Sequence, residues 1–240
     1  MLSVLSAVER LLLPLRCLSC ERTLPSSWTD GPLCGACRLE LRPLQPPRCG
    51  RCGQTLDRWD TGAPCGFCRQ WPQSLRWAAS AVWHEGPARD LVHALKYDGW
   101  RVAAEPMARA IMRHCGHLLD RESVLVPVPL GRTRQRERGH NQAGVLARAL
   151  GALCGLDVCD ALERARETRT QTALSPLERM RNVSGAFRVA PAAGSPAAKV
   201  ILVDDVLTTG ATLGAAAEAL SAAGCRAAGA ITFARALSPT

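Results

Sequence analysis

The 240-residue chain is long enough for one complete domain and a smaller second one, and 47% of its residues are hydrophobic. Its net charge of +9 rests on 30 basic residues, all arginine except Lys96 and Lys199, and this favours polyanionic partners such as nucleic acids, phosphorylated sugars or anionic membranes. An arginine-rich coding bias explains this charge equally well. No run of about 18 apolar residues occurs, which excludes a membrane-spanning helix.

The first fifteen residues carry an apolar stripe that Glu9 and Arg10 interrupt. This pattern predicts a short amphipathic helix, because a signal peptide would place its positive charge first and a cleavage site after the apolar stretch. We therefore expect a cytoplasmic protein whose cysteines are reduced.

Eight cysteines form four Cys-x-x-Cys pairs, namely Cys17/Cys20, Cys34/Cys37, Cys49/Cys52 and Cys65/Cys68. Two thiolates three positions apart bind one side of a Zn²⁺ ion, and a second pair completes the tetrahedron. The segment is rich in proline and poor in aliphatic residues, so we expect metal binding to supply its folding free energy. The sequence thus predicts a structural zinc-ribbon module at 1–72, with one or two ions and with sequential or interleaved pairing.

A disulfide framework and a redox centre fit these cysteines less well than zinc does. A disulfide framework suits secreted chains, and no secretion signal is present. A thioredoxin-like redox role needs one Cys-x-x-Cys on a βαβ unit, which this segment lacks.

The chain contains six tryptophans. We expect one or two of those near the cysteines (Trp28, Trp59 and Trp71) to be exposed, and the later three (Trp77, Trp83 and Trp100) to lie in a core.

Residues 76–240 show alternating strand and helix patterns. The predicted strands are 77–83, 123–128, 183–189, 199–203 and 227–233, and the predicted helices are 88–96, 101–119, 140–154 and 213–223. This alternation predicts an α/β domain with a parallel sheet flanked by helices. An Ala/Pro/Gly/Ser patch at 190–198 interrupts it.

The most informative stretch is 200–212. A buried apolar strand precedes Asp204 and Asp205, and the following loop contains Thr208, Thr209, Gly210, Ala211 and Thr212 before a helix. Ligands of open α/β sheets bind at the carboxyl ends of strands. The loop and the helix start offer N–H and hydroxyl donors to an anion, and the two acids can accept hydrogen bonds from a cis-diol. Together these features predict a site for a ribose 5-phosphate.

The same thirteen residues resemble the signature of type I phosphoribosyltransferases that binds 5-phosphoribosyl 1-pyrophosphate (PRPP). Upstream, Val126-Pro-Val-Pro-Leu-Gly-Arg and Arg138-Gly-His-Asn-Gln142 are similar to the pyrophosphate segment of the ComF family. The stretch from Arg166 to Phe187 is similar to that family's mobile loop and the strand after it. With the four cysteine pairs, most of the chain resembles the ComF competence proteins.

This resemblance implies a type I phosphoribosyltransferase-like domain at 76–240 that binds PRPP with Mg²⁺. Asp204 and Asp205 would hold the ribose hydroxyls, and residues 208–212 the 5-phosphate. An arginine run would surround the pyrophosphate, with Arg132 and Arg138 foremost and Arg166 on the mobile loop, although a solvated basic face explains that run equally well. Thr208 stands where purine-salvage relatives have a catalytic Asp, so no catalytic residue is assigned.

Three functions remain open at this point. The first is a ComF-like role in natural competence, in which the protein helps single-stranded DNA enter the cytoplasm and contacts a helicase-like partner. The second is a working phosphoribosyltransferase that transfers the phosphoribosyl group to a nucleobase or another acceptor and releases pyrophosphate. The third is a PRPP sensor without chemistry.

Overall fold

The computed structural model describes residues 15–25, 27–56, 64–166, 183, 185–190, 199–225 and 227–236. The helix predicted at 1–15 lies outside these residues except for Leu15. Trp59 and the patch at 190–198 beyond Ala190 lie outside them too. Within the described part of the chain, no helix combines the length and apolarity needed to cross a bilayer.

The described residues form six strands. They are β1 (Leu75–Trp83), β2 (Ser123–Pro127), β3 (Leu162–Arg164), β4 (Phe187–Val189), β5 (Lys199–Leu207) and β6 (Ala227–Arg235). Four of them form one parallel sheet in the order β1-β6-β5-β2. The predicted parallel sheet is therefore confirmed.

Within the same described residues there are six α-helices, of which the first precedes β1. They are α1 (Gly35–Leu39), α2 (Gly86–Lys96), α3 (Ala104–Cys115), α4 (Arg132–Arg138), α5 (Gln142–Cys154) and α6 (Ala211–Ala222). Short 3₁₀ turns flank α3 at Arg101–Ala103 and Gly116–Leu118. Helix α5 begins where the Asn141 side chain accepts a hydrogen bond from the Ala143 N–H, a standard N-cap.

The sheet has a core on each face, because alternate strand residues point to opposite sides. On β5, Ile201 and Val203 pack with α2, α3 and α5, whereas Val200 and Leu202 pack with α6. The first cysteine cluster joins the core of the α2/α3/α5 face through Cys17, Cys34 and Cys37. Three cysteines of the second cluster join the other core, and they are Cys49, Cys52 and Cys68.

The free edge of β1 is covered by the segment between the two cysteine clusters and by the start of the second cluster. Pro43 forms an antiparallel bridge with Val82. The Trp83 N–H donates to the Arg42 carbonyl at 2.8 Å, and the Ala78 N–H donates to the Arg51 carbonyl at 2.8 Å. The cysteine-rich part therefore shields an edge that would otherwise offer unpaired backbone groups.

Three expectations need correction. The strand predicted at 183–189 is only Phe187–Val189, and it pairs antiparallel with β3 outside the main sheet. Strand β5 does not stop at 203 but continues through the acid pair to Leu207, because its backbone goes on pairing with β6. Trp100, expected in a core, is 52% exposed, since it lies in the short link between α2 and α3.

Candidate functional site

Each cysteine cluster brings four sulfur atoms together. Cys17, Cys20, Cys34 and Cys37 form one cluster, Cys49, Cys52, Cys65 and Cys68 form the other, and within each all Sγ atoms lie within 4.8 Å of one another. The pairing is thus sequential rather than interleaved. Four thiolates without an open position are the ligand set of a structural Zn²⁺ ion, so the chain has two such sites.

Backbone N–H groups lower the pKa of one thiol in each cluster. Burial alone would raise the pKa of Cys17, but N–H groups, first that of Cys20, outweigh it and lower the value to about 7. Burial is likewise outweighed at Cys49, where backbone N–H groups lower the pKa to about 6. Amides directed at sulfur are consistent with metal-binding knuckles, because they stabilise thiolate charge.

Two arginines attach the second cluster to the sheet. Arg235, at the end of β6, is fully buried, and its Nη1 donates to the Cys52 carbonyl at 2.7 Å while its guanidinium lies 4.2 Å from the Phe67 ring centre. Arg51 Nη2 donates to the carbonyls of Pro72 at 2.8 Å and Leu75 at 3.0 Å. Sequence reasoning missed both arginines, since each acts through residues that are distant in the chain.

A cavity of about 740 Å³ opens at the carboxyl end of the sheet. Its wall includes the residue that follows each of the four strands, and these are His84, Val128, Thr208 and Ala236. Asp204 and Asp205 also line it. This is the edge at which open α/β sheets bind ligands, and it is where the sequence predicted a site.

The acid pair is buried unevenly. Asp205 is 3% exposed, and its Oδ1 lies 3.0 Å from Lys96 Nζ. Among the described residues its Oδ2 has no hydrogen-bond partner. Asp204 is partly buried and accepts the Asp205 N–H at 2.9 Å. Burial, and secondly repulsion from Asp205, raise the pKa of Asp204 to about 7. The pair thus keeps unused acceptor capacity beside the cavity.

Cations also line the cavity. Arg134 and Arg138 lie four positions apart on α4 and therefore on one face of that helix. Arg138 Nη1 donates to Gln142 Oε1 at 3.1 Å, and its guanidinium lies 5.0 Å from the centre of the exposed Tyr97 ring. Sequence reasoning gives Lys96 no role. The only available signal is that it is one of two lysines in a chain of arginines.

The predicted site residues are distributed over three places. The cavity wall contains Asp204, Asp205, Thr208, Thr212 and Arg138. Gly210 and Ala211 line a smaller hollow with Trp71, and the Thr209 carbonyl accepts the Trp71 Nε1–H at 2.9 Å. Neither Arg132, which is exposed, nor Arg166 is on the cavity wall. Because α4 is a helix and not a loop, its arginines do not all face one ligand.

The loop after β5 has the form of an anion cradle. Gly210 has φ +80°, a left-handed conformation that glycine adopts without strain. The 12-residue helix α6 starts immediately after it, and the Ala211 N–H lies 3.4 Å from Thr209 Oγ1. The positive end of α6 and the hydroxyls of Thr208 and Thr212 therefore meet at the edge of the cavity.

Two protein-family models match separate parts of the chain. Residues 8–69 match the double zinc ribbon domain. Residues 136–240 match the phosphoribosyl transferase domain. The two matches cover the cysteine clusters and the acid-pair loop, respectively.

Curated proteins match across both parts. Competence protein F of Haemophilus influenzae is 30% identical over 82% of this chain and 87% of its own length. DNA utilization protein YhgH of Escherichia coli is 31% identical over 78% and 83%. Competence protein ComFC of Streptococcus pneumoniae is 25% identical over 88% and 96%. The chain therefore belongs to the ComF family, in which a double zinc ribbon precedes a phosphoribosyltransferase-like domain.

Proposed function

We propose that the cavity binds PRPP as its Mg²⁺ complex, in a cytoplasmic protein that serves the uptake or use of single-stranded DNA. The observation that carries the ligand assignment is the acid pair followed directly by the 208–212 turn and α6, all at the carboxyl edge of the sheet. A diol-binding group beside a phosphate cradle matches the two ends of a ribose 5-phosphate.

The chemistry of the cavity fits each part of that ligand. Asp204 and Asp205, both on the cavity wall, offer carboxylate acceptors to the two ribose hydroxyls. Thr208, Thr212 and the start of α6 offer donors to the 5-phosphate. The Lys96 ammonium offsets the charge of Asp205. Lys96 and the two acids together therefore carry less than two negative charges beside an anionic ligand.

The pyrophosphate end is assigned to the α4 side. Arg134 and Arg138 on the cavity wall are the cations best placed for it. Mg²⁺ prefers oxygen ligands, and the pyrophosphate oxygens supply them, so the ion would enter with the ligand. Arg132 and Arg166 stay predictions for this role, because the wall does not include them.

The cellular role rests on the relatives. Two of them are named competence proteins and one a DNA utilization protein. The excess of arginine suits a polyanionic partner, and we extend the proposal to direct single-strand binding and to a helicase-like partner. A transferase reaction is not favoured, since Thr208 cannot take a proton from an acceptor at neutral pH.

Calorimetric titration of zinc-loaded protein with Mg-PRPP tests the ligand assignment. We expect the Asp204→Asn/Asp205→Asn double variant to bind at least about tenfold more weakly, because hydrogen bonds to charged acceptors are lost. The matched control is Asp120→Asn/Glu122→Gln, a pair of acids that bind Lys199 on the surface. Equal affinity in both double variants, or no binding by the wild type, contradicts the proposal.

Fluorescence anisotropy with a single-stranded oligonucleotide tests the DNA part. We expect binding that weakens with salt and survives in the Asp204→Asn/Asp205→Asn variant, because phosphate contacts come from the basic surface. Absence of binding at low salt contradicts direct contact with DNA. Release of pyrophosphate from PRPP with an added nucleobase would instead identify a transferase.

A further inference from the structure

The indole of Trp71 lies directly against residues 208–212, the phosphate loop of the proposed site. Trp71 is 5% exposed, and its Nε1–H donates to the Thr209 carbonyl at 2.9 Å. A Cβ atom at Gly210 would overlap the Trp71 ring, so no other residue is accommodated there without a shift of the indole. Glycine at 210 thus permits both the φ of +80° and the approach of the ring.

The contact extends into the first turn of α6. A Cβ at Gly214 would lie 3.0 Å from Pro72 Cδ. Residues 71 and 72 therefore pack against both the turn that carries the donors and the helix whose positive end faces the cavity. A small displacement of either residue would move the loop, because close-packed neighbours transmit displacement.

Trp71 is in turn held by the second cysteine cluster. The backbone N–H of Trp71 donates to the carbonyl of Cys68, one of the four cysteines of that cluster, at 3.1 Å. Its ring meets Phe67, which lies between Cys65 and Cys68, edge to face at 5.8 Å. Arg51, between Cys49 and Cys52, donates to the Trp71 carbonyl at 3.3 Å. A continuous set of contacts thus joins the metal knuckles to the loop.

From these contacts we infer that Trp71 is a positioning residue, through which the metal-loaded second cluster holds the phosphate loop in its binding conformation. Zinc occupancy of that cluster and affinity for the phosphosugar are then linked, and the linkage acts in both directions. The inference rests on the proposed function, since it concerns the loop that would bind the 5-phosphate.

The first cluster supplies a matched control. The Trp28 Nε1–H donates to the Gly31 carbonyl at 2.7 Å, and Arg38 lies 5.5 Å from the Trp28 ring centre. This indole makes the same kind of bond beside the same kind of metal site. Its partners belong to the other face of the sheet, and Trp28 does not line the cavity.

The first experiment compares Trp71→Phe with Trp28→Phe in zinc-loaded, full-length protein by calorimetry with Mg-PRPP. We expect affinity to fall about five- to tenfold in Trp71→Phe, the size of one lost neutral hydrogen bond with its packing, and to change less than about twofold in Trp28→Phe. Zinc content and melting temperature verify that both variants fold. Equal affinities in the two variants overturn the inference.

A second experiment needs no ligand and separates the inference from the proposed function. Hydrogen exchange at the amides of residues 208–212 is measured in the wild type, Trp71→Phe and Trp28→Phe. We expect faster exchange only in Trp71→Phe, because the loop loses its support. If PRPP does not bind but this difference appears, the ligand assignment fails and the support of the loop by Trp71 stands. Identical exchange in all three overturns the support itself.

A third experiment tests the reverse direction of the linkage. A chelator withdraws zinc from the wild type with and without Mg-PRPP, and the released metal is followed optically. We expect PRPP to slow the release of one of the two ions, and the protection to disappear in Trp71→Phe. Equal protection of both ions, or of neither, contradicts the linkage.

Discussion

The two cysteine clusters have the same ligands and nearly the same spacing, yet they are built into different parts of the molecule. The first shares a core with α2, α3 and α5, and its Trp28 donates to the Gly31 carbonyl in the cluster's own loop. The second shares a core with α6, and its tryptophan reaches the loop after β5. The same set of ligands is therefore built into opposite faces of one sheet, and the second cluster lies next to the loop after β5.

The arginines beside the clusters show the same difference. Arg38, near the first cluster, is partly exposed and pairs with Asp30 at 3.0 Å on the surface. Arg235, near the second, is fully buried and bonds to the Cys52 carbonyl and to Gln54 Oε1 at 2.8 Å. The second cluster is thus anchored to the sheet by a desolvated cation, and the first mainly by its own apolar residues.

Removal of one zinc ligand from each cluster should give the largest contrast. We expect Cys17→Ser and Cys49→Ser each to lose one zinc ion. The free energy of unfolding should fall by roughly several kcal/mol, because metal binding contributes directly to folding. Only Cys49→Ser should also weaken Mg-PRPP binding, by about tenfold or more. Elemental analysis and calorimetry on the same samples measure both. A variant Cys17→Ser that loses PRPP binding equally would remove the distinction between the clusters.

Loss of the two arginines should come next. We expect Arg235→Leu to lower the free energy of unfolding by about 3 kcal/mol, because buried carbonyls are left without donors. Arg38→Leu should cost about 1 kcal/mol or less, as is usual for a partly exposed ion pair. Guanidinium denaturation of zinc-loaded protein measures both values. Similar costs would show that the second cluster is not more firmly anchored.

The acid pair predicts a pH dependence. Burial and then Asp205 raise the pKa of Asp204 from 3.8 to about 7, so the folded state binds its proton more tightly, and this contribution to stability is lost as pH rises from about 4 through 7. Asp204→Asn should therefore stabilise the unliganded protein by roughly 1 kcal/mol at pH 8 and hardly at all at pH 5.

Melting temperatures at the two pH values provide the measurement, and Asp120→Asn is the control. A lysine ammonium, that of Lys199, lowers the pKa of Asp120, so its replacement should not stabilise the protein at pH 8. If Asp204→Asn melts at or below the wild-type temperature at pH 8, ionisation of Asp204 does not destabilise the folded state.

Two glycines should give the smallest effects. A Cβ at the exposed Gly35, in α1 beside the first cluster, would be 3.9 Å from Trp28 and meet no obstacle. We expect Gly35→Ala to be neutral or to stabilise by about 0.5 kcal/mol. Gly214→Ala should gain nothing or lose about 0.5 kcal/mol, because its Cβ meets Pro72 at 3.0 Å. Thermal melts compare them, and a clear gain in Gly214→Ala would show that the contact with residue 72 is loose.

What the sequence predicted well is local in the chain. Metal ligands three positions apart, apolar strand runs and the 200–212 pattern each depend on neighbouring residues, and the cysteine clusters and the parallel sheet are confirmed. The predicted extent of β5 was wrong because acids usually end a buried strand, whereas here backbone pairing with β6 continues past them to Leu207.

What the sequence could not predict depends on contacts between distant segments or on weak local patterns. The Lys96–Asp205 ion pair joins the end of α2 to β5 and leaves no periodicity to detect. Helix α4 buries none of its residues, so it has no apolar stripe from which a helix could be predicted. Strand β3 has three residues, too few for an alternating pattern.

The bond from Trp71 to Thr209 spans 138 residues. During synthesis the cysteine-rich segment emerges before the 208–212 loop and can take up metal before that loop is made. The 208–212 loop is made later than the cysteine-rich segment and meets a tryptophan that precedes it in the chain. The order of translation therefore allows the zinc ribbon to fold before the loop that packs against it.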